Sequence, residues 1–433
     1  MSDHDQKFIA AGRRSRKIGQ LVTALDLGST KITCLMARTV PPSQGPFELA
    51  GHGLQTSRGL KGGVVIDMDG LERSVRLAVE DAERMSSAQA TDVRVSVTGP
   101  YLETRRIQGD HVMNGREVSQ KDVHKLLEKT LASGIDDKLF VLHAFPLSYS
   151  IDGNEGVRDP RGMFAEKLGV TMNLVTMPMP IYRNIVLSVS RAHLSVESIS
   201  AAPFASSDAV LTDDERDNGA ICIDLGGSST GISVFQDGAL AFVDTLPVGG
   251  HHITSDLAHG IGTTMPAAER IKTLHGSVLP PKSGPADFVE TPKIGDDGRL
   301  SAARMPKSEL TGFILPRVEE NFELVSRALS KSGLGSRLPR RVVLTGGGSE
   351  LPGIRELAAR VLAMPVRLAR PLHAAELGEI CQRASFSAAA GLLTLGDAGP
   401  TQGPAKKSVK SKDYRVGEAG VFGRAVDWLK ENI

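Results

Sequence analysis

Apolar residues recur along the chain in two rhythms, and the rhythm changes locate the elements. From Leu21 to Arg38 apolar and polar residues flank a short glycine turn, which predicts a β-hairpin. Gly59–Asp69 reads as a strand after a Gly-Leu-Lys-Gly-Gly turn. Apolar residues at 71, 75, 78, 79 and 82 then give a helical stripe over Leu71–Met85, and Asp92–Val97 alternates as a strand. Residues 103–182 change character. Ser119 caps a predicted helix to about Ala132, Phe140–Ile151 and Gly169–Met177 read as strands, and Asp159-Pro160-Arg161-Gly162 is a turn. Helix, strand and helix follow over 182–217. Ala220–Ala241 repeats the opening hairpin, with Asp237-Gly238 as a further turn. A helical region spans Ile253 to about Gly276, and 277–305, rich in Pro, Gly and charge, reads as a flexible excursion. A helix over Glu309–Ser332 carries Leu310, Phe313, Ile314, Val318, Phe322, Val325 and Leu329 on one side. Residues 341–364 are strand, glycine turn and helix, and 375–396 close the globular part.

Three of these turns carry the chemistry. Asp26-Leu27-Gly28-Ser29-Thr30-Lys31 and Asp224-Leu225-Gly226-Gly227-Ser228-Ser229-Thr230 each join an apolar strand to an alternating one. Thr345-Gly346-Gly347-Gly348-Ser349 joins a strand to a helix. Glycine lets backbone N–H groups converge on an anion, and the hydroxyls add donors. Two facing turns are therefore expected to hold the β- and γ-phosphates of a nucleotide, with Asp26 and Asp224 holding Mg²⁺ largely through water. Lys31 adds a point charge, and the third turn lines the ribose and α-phosphate. Other phosphate and catalytic motifs are missing. GxxxxGK[ST] and HExxH do not occur, and Leu351 stands where the last glycine of GxGxxG belongs. His251-His252 has no third ligand nearby and reads as a loop pair without metal.

Composition sets the bounds. At 433 residues the chain exceeds one ordinary core. A net charge of +1 gives no global field for nucleic acid. Three cysteines without a CxxC indicate neither a disulfide framework nor a zinc site. No run of about 18 apolar residues predicts a membrane-spanning helix, and no signal peptide is recognisable, so the chain reads as cytoplasmic. Residues 1–19 read as a disordered, partly basic extension and 397–416 as a flexible linker rich in Gly, Pro, Lys and Ser. Beyond it, Val421, Phe422, Ala425, Val426, Trp428, Leu429 and Ile433 fall mostly on one side of a helix, after Lys406, Lys407, Lys410, Lys412 and Arg415. That pattern suits a membrane interface. Each large side chain contributes roughly 1.5–3 kcal/mol on full burial, and ordering costs roughly 1–2 kcal/mol per residue. One such helix therefore binds weakly, and a polymer bearing many binds by avidity through linkers spanning roughly 25 Å.

The three turns in order resemble the actin, hexokinase and heat-shock chaperone superfamily. The resemblance implies an α/β, two-lobed actin-like fold, duplicated and ribonuclease H-like, with ATP in the cleft. Glu269-Arg270-Ile271-Lys272 fits that superfamily's helix in which Glu269 and Lys272 flank the adenosine. A water-orienting acid in many members corresponds to the stretch Ser200–Ser207, where Ala201 and Ala202 do no acid–base work. Asp208, one turn on, is expected to face the metal or solvent. No catalytic residue is assigned, and binding with at most weak ATPase activity is expected.

Further motifs narrow the branch. These are Gly59–Val65, Asp159–Met163 before Lys167-Leu168-Gly169-Val170, Ala205–Arg216, and Gly249-Gly250-His251-His252-Ile253-Thr254-Ser255-Asp256-Leu257-Ala258. Together they resemble the FtsA family of bacterial cell-division proteins over residues 21–396 and the extreme C-terminus. The resemblance implies a small α/β subdomain inserted in the first lobe and self-association into filaments. It also implies binding of the C-terminal tail of FtsZ, recruitment of later divisome proteins, and a peripheral position on the cytoplasmic side of the inner membrane at midcell. It divides the chain into 1–19, first lobe 20–102, insert 103–182, first lobe again 183–217, and second lobe 218–374. The second lobe's upper subdomain is 253–335 and takes FtsZ near Arg317, Glu320 and Asn321. Closing helices occupy 375–396, the linker 397–416, and the amphipathic helix 417–433, which meets lipid through Val421, Phe422, Val426, Trp428, Leu429 and Ile433. A sugar-kinase-type phosphotransferase and a PilM-like pilus-assembly adaptor are the alternatives; the first needs a catalytic carboxylate that residues 200–208 do not clearly supply.

Overall fold

A computed structural model describes residues 18–41, 46–280, 287–295, 299–373 and 378–395. The opening hairpin pairs β1 (Leu21–Leu27) with β2 (Lys31–Thr39), and β2 pairs with β3 (Phe47–Thr56). Helix α1 (Met68–Ser86) packs on β3 so closely that a Cβ at Gly51 or Gly53 would collide with the carbonyl oxygens of Ala82 and Ala78. The predicted strand over 59–69 is instead a two-residue ladder, Leu60–Lys61 with Val64–Val65. Gly62 and Gly63 turn the chain there at φ +56° and +79°, and Asp67 then caps α1 by accepting from the Asp69 and Gly70 N–H groups. Strand β4 (Asp92–Val97) joins β1 in parallel.

The inserted unit is a four-stranded sheet. It comprises β5 (Glu103–Glu117), α2 (Gln120–Gly134), β6 (Leu139–Ile151), β7 (Asn154–Val157) and β8 (Phe164–Pro178), in the order β5-β8-β6-β7. Its own apolar cluster includes Met113, Leu126, Leu127, Leu131, Leu168 and Met172. Ser119 starts α2 with a capping box to Asp122, which also pairs with Arg116. After α3 (Met179–Arg191), strand β9 (Ser195–Ala201) completes a sheet ordered β9-β4-β1-β2-β3, and α4 (Ala202–Val210) and the short α5 (Asp213–Asp217) follow.

The second sheet repeats the first. Strands β10 (Ala220–Leu225), β11 (Thr230–Gln236) and β12 (Ala239–Leu246) form an antiparallel meander. The predicted helix over 253–276 is two helices, α6 (Gly250–Ile261) and α7 (Met265–His275). Gly262 ends the first at φ +73°, and Thr264 caps the second. In the 277–305 excursion two short ladders form, Phe288–Glu290 with Arg304–Pro306 and Lys293–Ile294 with Leu300–Ser301. Helix α8 (Lys307–Lys331) runs through Pro316 and buries Leu310, Ile314, Val318, Phe322, Val325 and Leu329. Strand β13 (Val342–Thr345), α9 (Ile354–Leu362) and β14 (Val366–Leu368) finish a sheet ordered β12-β11-β10-β13-β14. In both sheets the first strand of a meander is flanked by two later parallel strands. Each sheet has its own core. Helix α10 (Ser387–Thr394) packs back on α4 and β1, and Arg94 donates to the Leu392 and Leu393 carbonyls at its end.

Candidate nucleotide-binding cleft

The duplication brings the two Asp-Gly turns face to face. In each, the strand register closes directly on the turn, Leu27 opposite Ile32 and Leu225 opposite Thr230. Glycine is required at the same place twice. A Cβ on Gly28 would lie 2.7 Å from the Lys31 carbonyl oxygen, and one on Gly226 would lie 2.8 Å from that of Ser229. The turns also touch, since a Cβ on Gly227 would collide with Thr30. The third turn closes the site behind Asp224. Gly346 has φ +82°, and a Cβ there would strike the Asp224 carboxylate.

These turns line a cleft of about 960 Å³, within the size range of small-ligand sites. Asp26, Gly28, Ser29, Thr30 and Lys31 face Asp224, Gly226, Gly227 and Ser229 across it, with Gly346, Gly347 and Gly348 beside them. Burial raises the pKa of Asp26, against opposing contributions from the Ser96 hydroxyl and Lys31. Burial likewise pushes Asp224 up to about 6, with the field of Asp26 adding to it and Ser206 and Lys31 opposing. Two half-buried carboxylates, with the field of Asp26 raising the cost of ionising Asp224, suit a cation between them. Among the described residues no group of three His, Cys, Asp or Glu side chains is placed to hold a metal directly. Two carboxylates alone fit Mg²⁺, which keeps much of its water. The Ser29 hydroxyl, on the cleft wall, is buried without a hydrogen-bond partner, as expected of a group whose acceptor is a ligand.

Serines hold both carboxylates, and sequence reasoning missed them. Ser96 Oγ donates to Asp26 Oδ1 at 2.6 Å. Ser206 Oγ donates to Asp224. Their only signal was a hydroxyl in an otherwise apolar segment, Val95-Ser96-Val97 and Phe204-Ala205-Ser206. Thr98 Oγ1 and Ser229 Oγ stand 3.4 Å apart across the cleft. Lys31 Nζ donates to Ser385 Oγ at 3.3 Å and lies 3.7 Å from the Phe386 ring centroid, and burial lowers its pKa. Ala202 and Pro203, at the start of α4, line the floor. Asp208, expected to face metal or solvent, instead pairs with Arg216 at 3.0 Å and accepts from Thr394 at 2.7 Å.

Glu269 and Lys272 lie on the cleft wall. Lys272 Nζ donates to Glu269 Oε2 (2.7 Å), Thr254 Oγ1 (2.8 Å) and the Gly250 carbonyl (3.0 Å). Those three bonds engage every donor of an ammonium, so Lys272 braces α6 against α7.

Three other expected phosphate contacts sit elsewhere. Thr230 is fully buried; its hydroxyl donates to the Val248 carbonyl at 2.8 Å and accepts from Asn321 at 2.9 Å, because β11 alternation turns it inward. Ser349 is turned back to cap its own turn, donating to the Gly346 carbonyl at 2.7 Å. Ser228 is not on the cleft wall, although its hydroxyl lacks a partner. Asn321, expected at a docking surface, is only 7% exposed and is corrected to an interior position. It lies seven residues after Ile314 and four before Val325, on the apolar stripe of α8. Its neighbours Arg317 and Glu320 do reach the surface, where Arg317 is bonded to Asp256 at 2.6 Å and paired with Glu320. Val421, Phe422, Val426, Trp428, Leu429 and Ile433 lie outside the described residues.

Comparison with known proteins agrees with this geometry. The family model "Cell division protein FtsA" matches residues 221–391, and "SHS2 domain inserted in FTSA" matches 99–176. A curated cell division protein FtsA from Rhizobium meliloti is 38% identical over 425 residues, covering 96% of each chain. Its Escherichia coli K12 counterpart is 32% identical over 421 residues, covering 96% of this chain and 98% of its own. Among solved structures, a PilM-PilN type IV pilus biogenesis complex matches with a TM-score of 0.61 at 17% identity, covering 87% of this chain and 99% of its own. MreB5 of Spiroplasma citri bound to ADP matches at 0.52 and 12% identity, covering 87% and 96%. These structural likenesses bear on the fold, which is the two-lobed actin-like one with an inserted subdomain. With identities above 30% over nearly its whole length, the chain belongs to the FtsA family of bacterial cell division proteins.

Proposed function

We propose that the cleft binds Mg·ATP and that the chain is an ATP-dependent scaffold that polymerises at the inner membrane. There it ties FtsZ filaments to the lipid surface and recruits later divisome proteins. The observation that carries the nucleotide reading is the pair of touching Asp-Gly turns, each with a carboxylate held by a serine. The turn backbones, Ser29 and Lys31 would hold the β- and γ-phosphates. Gly346–Gly348 would line the α-phosphate and ribose, with Glu269 toward the adenosine. Mg²⁺, when bound, would neutralise the phosphates and the two carboxylates together. Where an acid would orient attacking water, Ala202 lies on the floor, so turnover is slow and the nucleotide acts as a clamp between lobes. Lobe boundaries near 102/103, 182/183, 217/218 and 374/375 accord with this reading, as does ADP in the similar MreB5 structure.

The partner surface is the exposed part of α8 at Arg317 and Glu320, where an acidic FtsZ tail would compete with Asp256 for the guanidinium. No described helix is long and apolar enough to cross a membrane; residues 417–433 supply the proposed peripheral anchor. Co-sedimentation with anionic liposomes tests the function. The full chain brings FtsZ down with the vesicles, and a chain lacking 417–433 brings down neither itself nor FtsZ. Vesicle pelleting by the truncated chain contradicts the anchor, and absence of FtsZ recruitment by the full chain contradicts the scaffold.

A further inference from the structure

Resting on the nucleotide reading above, the geometry points to His251 as a nucleotide-contact residue that reads the charge of the phosphate chain and favours the triphosphate. Among the described residues, three side chains with cationic or imidazole nitrogens line the cleft: Lys31, His251 and Lys272. Lys272 has no donor left, because Glu269, Thr254 and the Gly250 carbonyl take all three. Lys31 is partly engaged by Ser385 and lies over Phe386. The His251 ring is exposed to the cleft, and no described group hydrogen-bonds it.

The two histidines of the pair have separate tasks. His252 serves the fold, since its Nδ1 accepts the Gly249 N–H at 3.1 Å at the start of α6. His251 is fixed by its backbone alone, whose N–H donates to the Gly227 carbonyl at 2.7 Å in the second phosphate turn. The ring therefore projects between that turn and the Glu269–Lys272 network. The ring thus stands beside the turn proposed above to hold the β- and γ-phosphates. The wall itself is acid-rich: Asp26, Asp224, Glu269 and Glu350 stand against Lys31 and Lys272. A polyanion entering such a cleft needs every available donor, and an imidazole N–H to a phosphate oxygen is a charge-assisted bond.

Calorimetric titration of the full chain with Mg·ATP, Mg·ADP and adenosine tests the assignment, using His251→Ala and His251→Arg. We expect the alanine variant to lose about tenfold in ATP affinity, less for ADP and nothing for adenosine, while the arginine variant stays within about twofold of wild type for ATP. Unchanged ATP affinity in His251→Ala overturns the inference alone. So does an equal loss for adenosine, which would mean a distorted wall. A wild-type chain that binds no ATP overturns the nucleotide reading and this inference with it.

Discussion

Asp224→Asn should stabilise the metal-free protein at neutral pH while it weakens Mg·ATP binding. The Asp224 carboxyl is half-buried at the cleft, and burial pushes its pKa up to about 6 from an ordinary 3.8. Ionisation is thus harder in the folded state by about two units, or about 3 kcal/mol at 1.36 kcal/mol per unit. Because the folded pKa is the raised one, the native protein binds more protons than the unfolded chain between those values, and stability falls as pH rises through the window. Above about pH 7 the penalty is complete. At pH 5 about half of it remains. Asparagine removes the charge and keeps an oxygen for the Ser206 hydroxyl. In EDTA, urea unfolding followed by far-UV circular dichroism should show Asp224→Asn more stable than wild type by about 3 kcal/mol at pH 7.5, with the gap shrinking to about half at pH 5. A gap that is absent, or unchanged between the two pH values, would refute the claim that the site stores unfavourable charge for a cation to relieve.

Gly346→Ala should cost about 1–3 kcal/mol from its glycine-only backbone region (φ +82°, ψ 163°) alone, and should lower Mg·ATP affinity by displacing the Asp224 carboxylate; nucleotide titration and thermal melting read both effects. Asn321→Leu removes one hydrogen bond worth about 1 kcal/mol net, but also a buried amide oxygen that lacks a partner, itself worth about 1–3 kcal/mol, so its stability should stay within about 1 kcal/mol of wild type or rise. Asn321→Asp buries a carboxylate at the same place and should destabilise by about 3 kcal/mol or more; urea unfolding of the two variants side by side checks the contrast.

The hairpins and the helix stripes were legible because Asp-Gly turns and 3.6-residue periods are local signals. Strand β5 was not, since an edge strand of mostly exposed polar residues such as Arg105, Arg106 and Gln108 shows little apolar alternation. At the site, the turn residues announced themselves, but their supports did not. Ser96 lies 70 residues from Asp26 and Ser206 lies 18 from Asp224, separations that only the folded sheets close. Asn321 was legible and misassigned, because its place on the apolar stripe of α8 already pointed inward. Lys272 shows the opposite case: its i,i+3 partner Glu269 was visible, while Thr254 and Gly250, which complete its coordination, come from another helix.

The central claim is that Asp26 and Asp224 belong to one clamp whose occupancy by Mg·ATP permits polymerisation. Sedimentation of the full chain on anionic liposomes, with bound nucleotide measured in the same pellet, tests it most directly. For the wild type, polymer and ATP should appear together and vanish together when Mg²⁺ is chelated. Asp26→Ala and Asp224→Ala should each lose both. Polymer formation at wild-type levels by either variant without bound nucleotide would contradict the account.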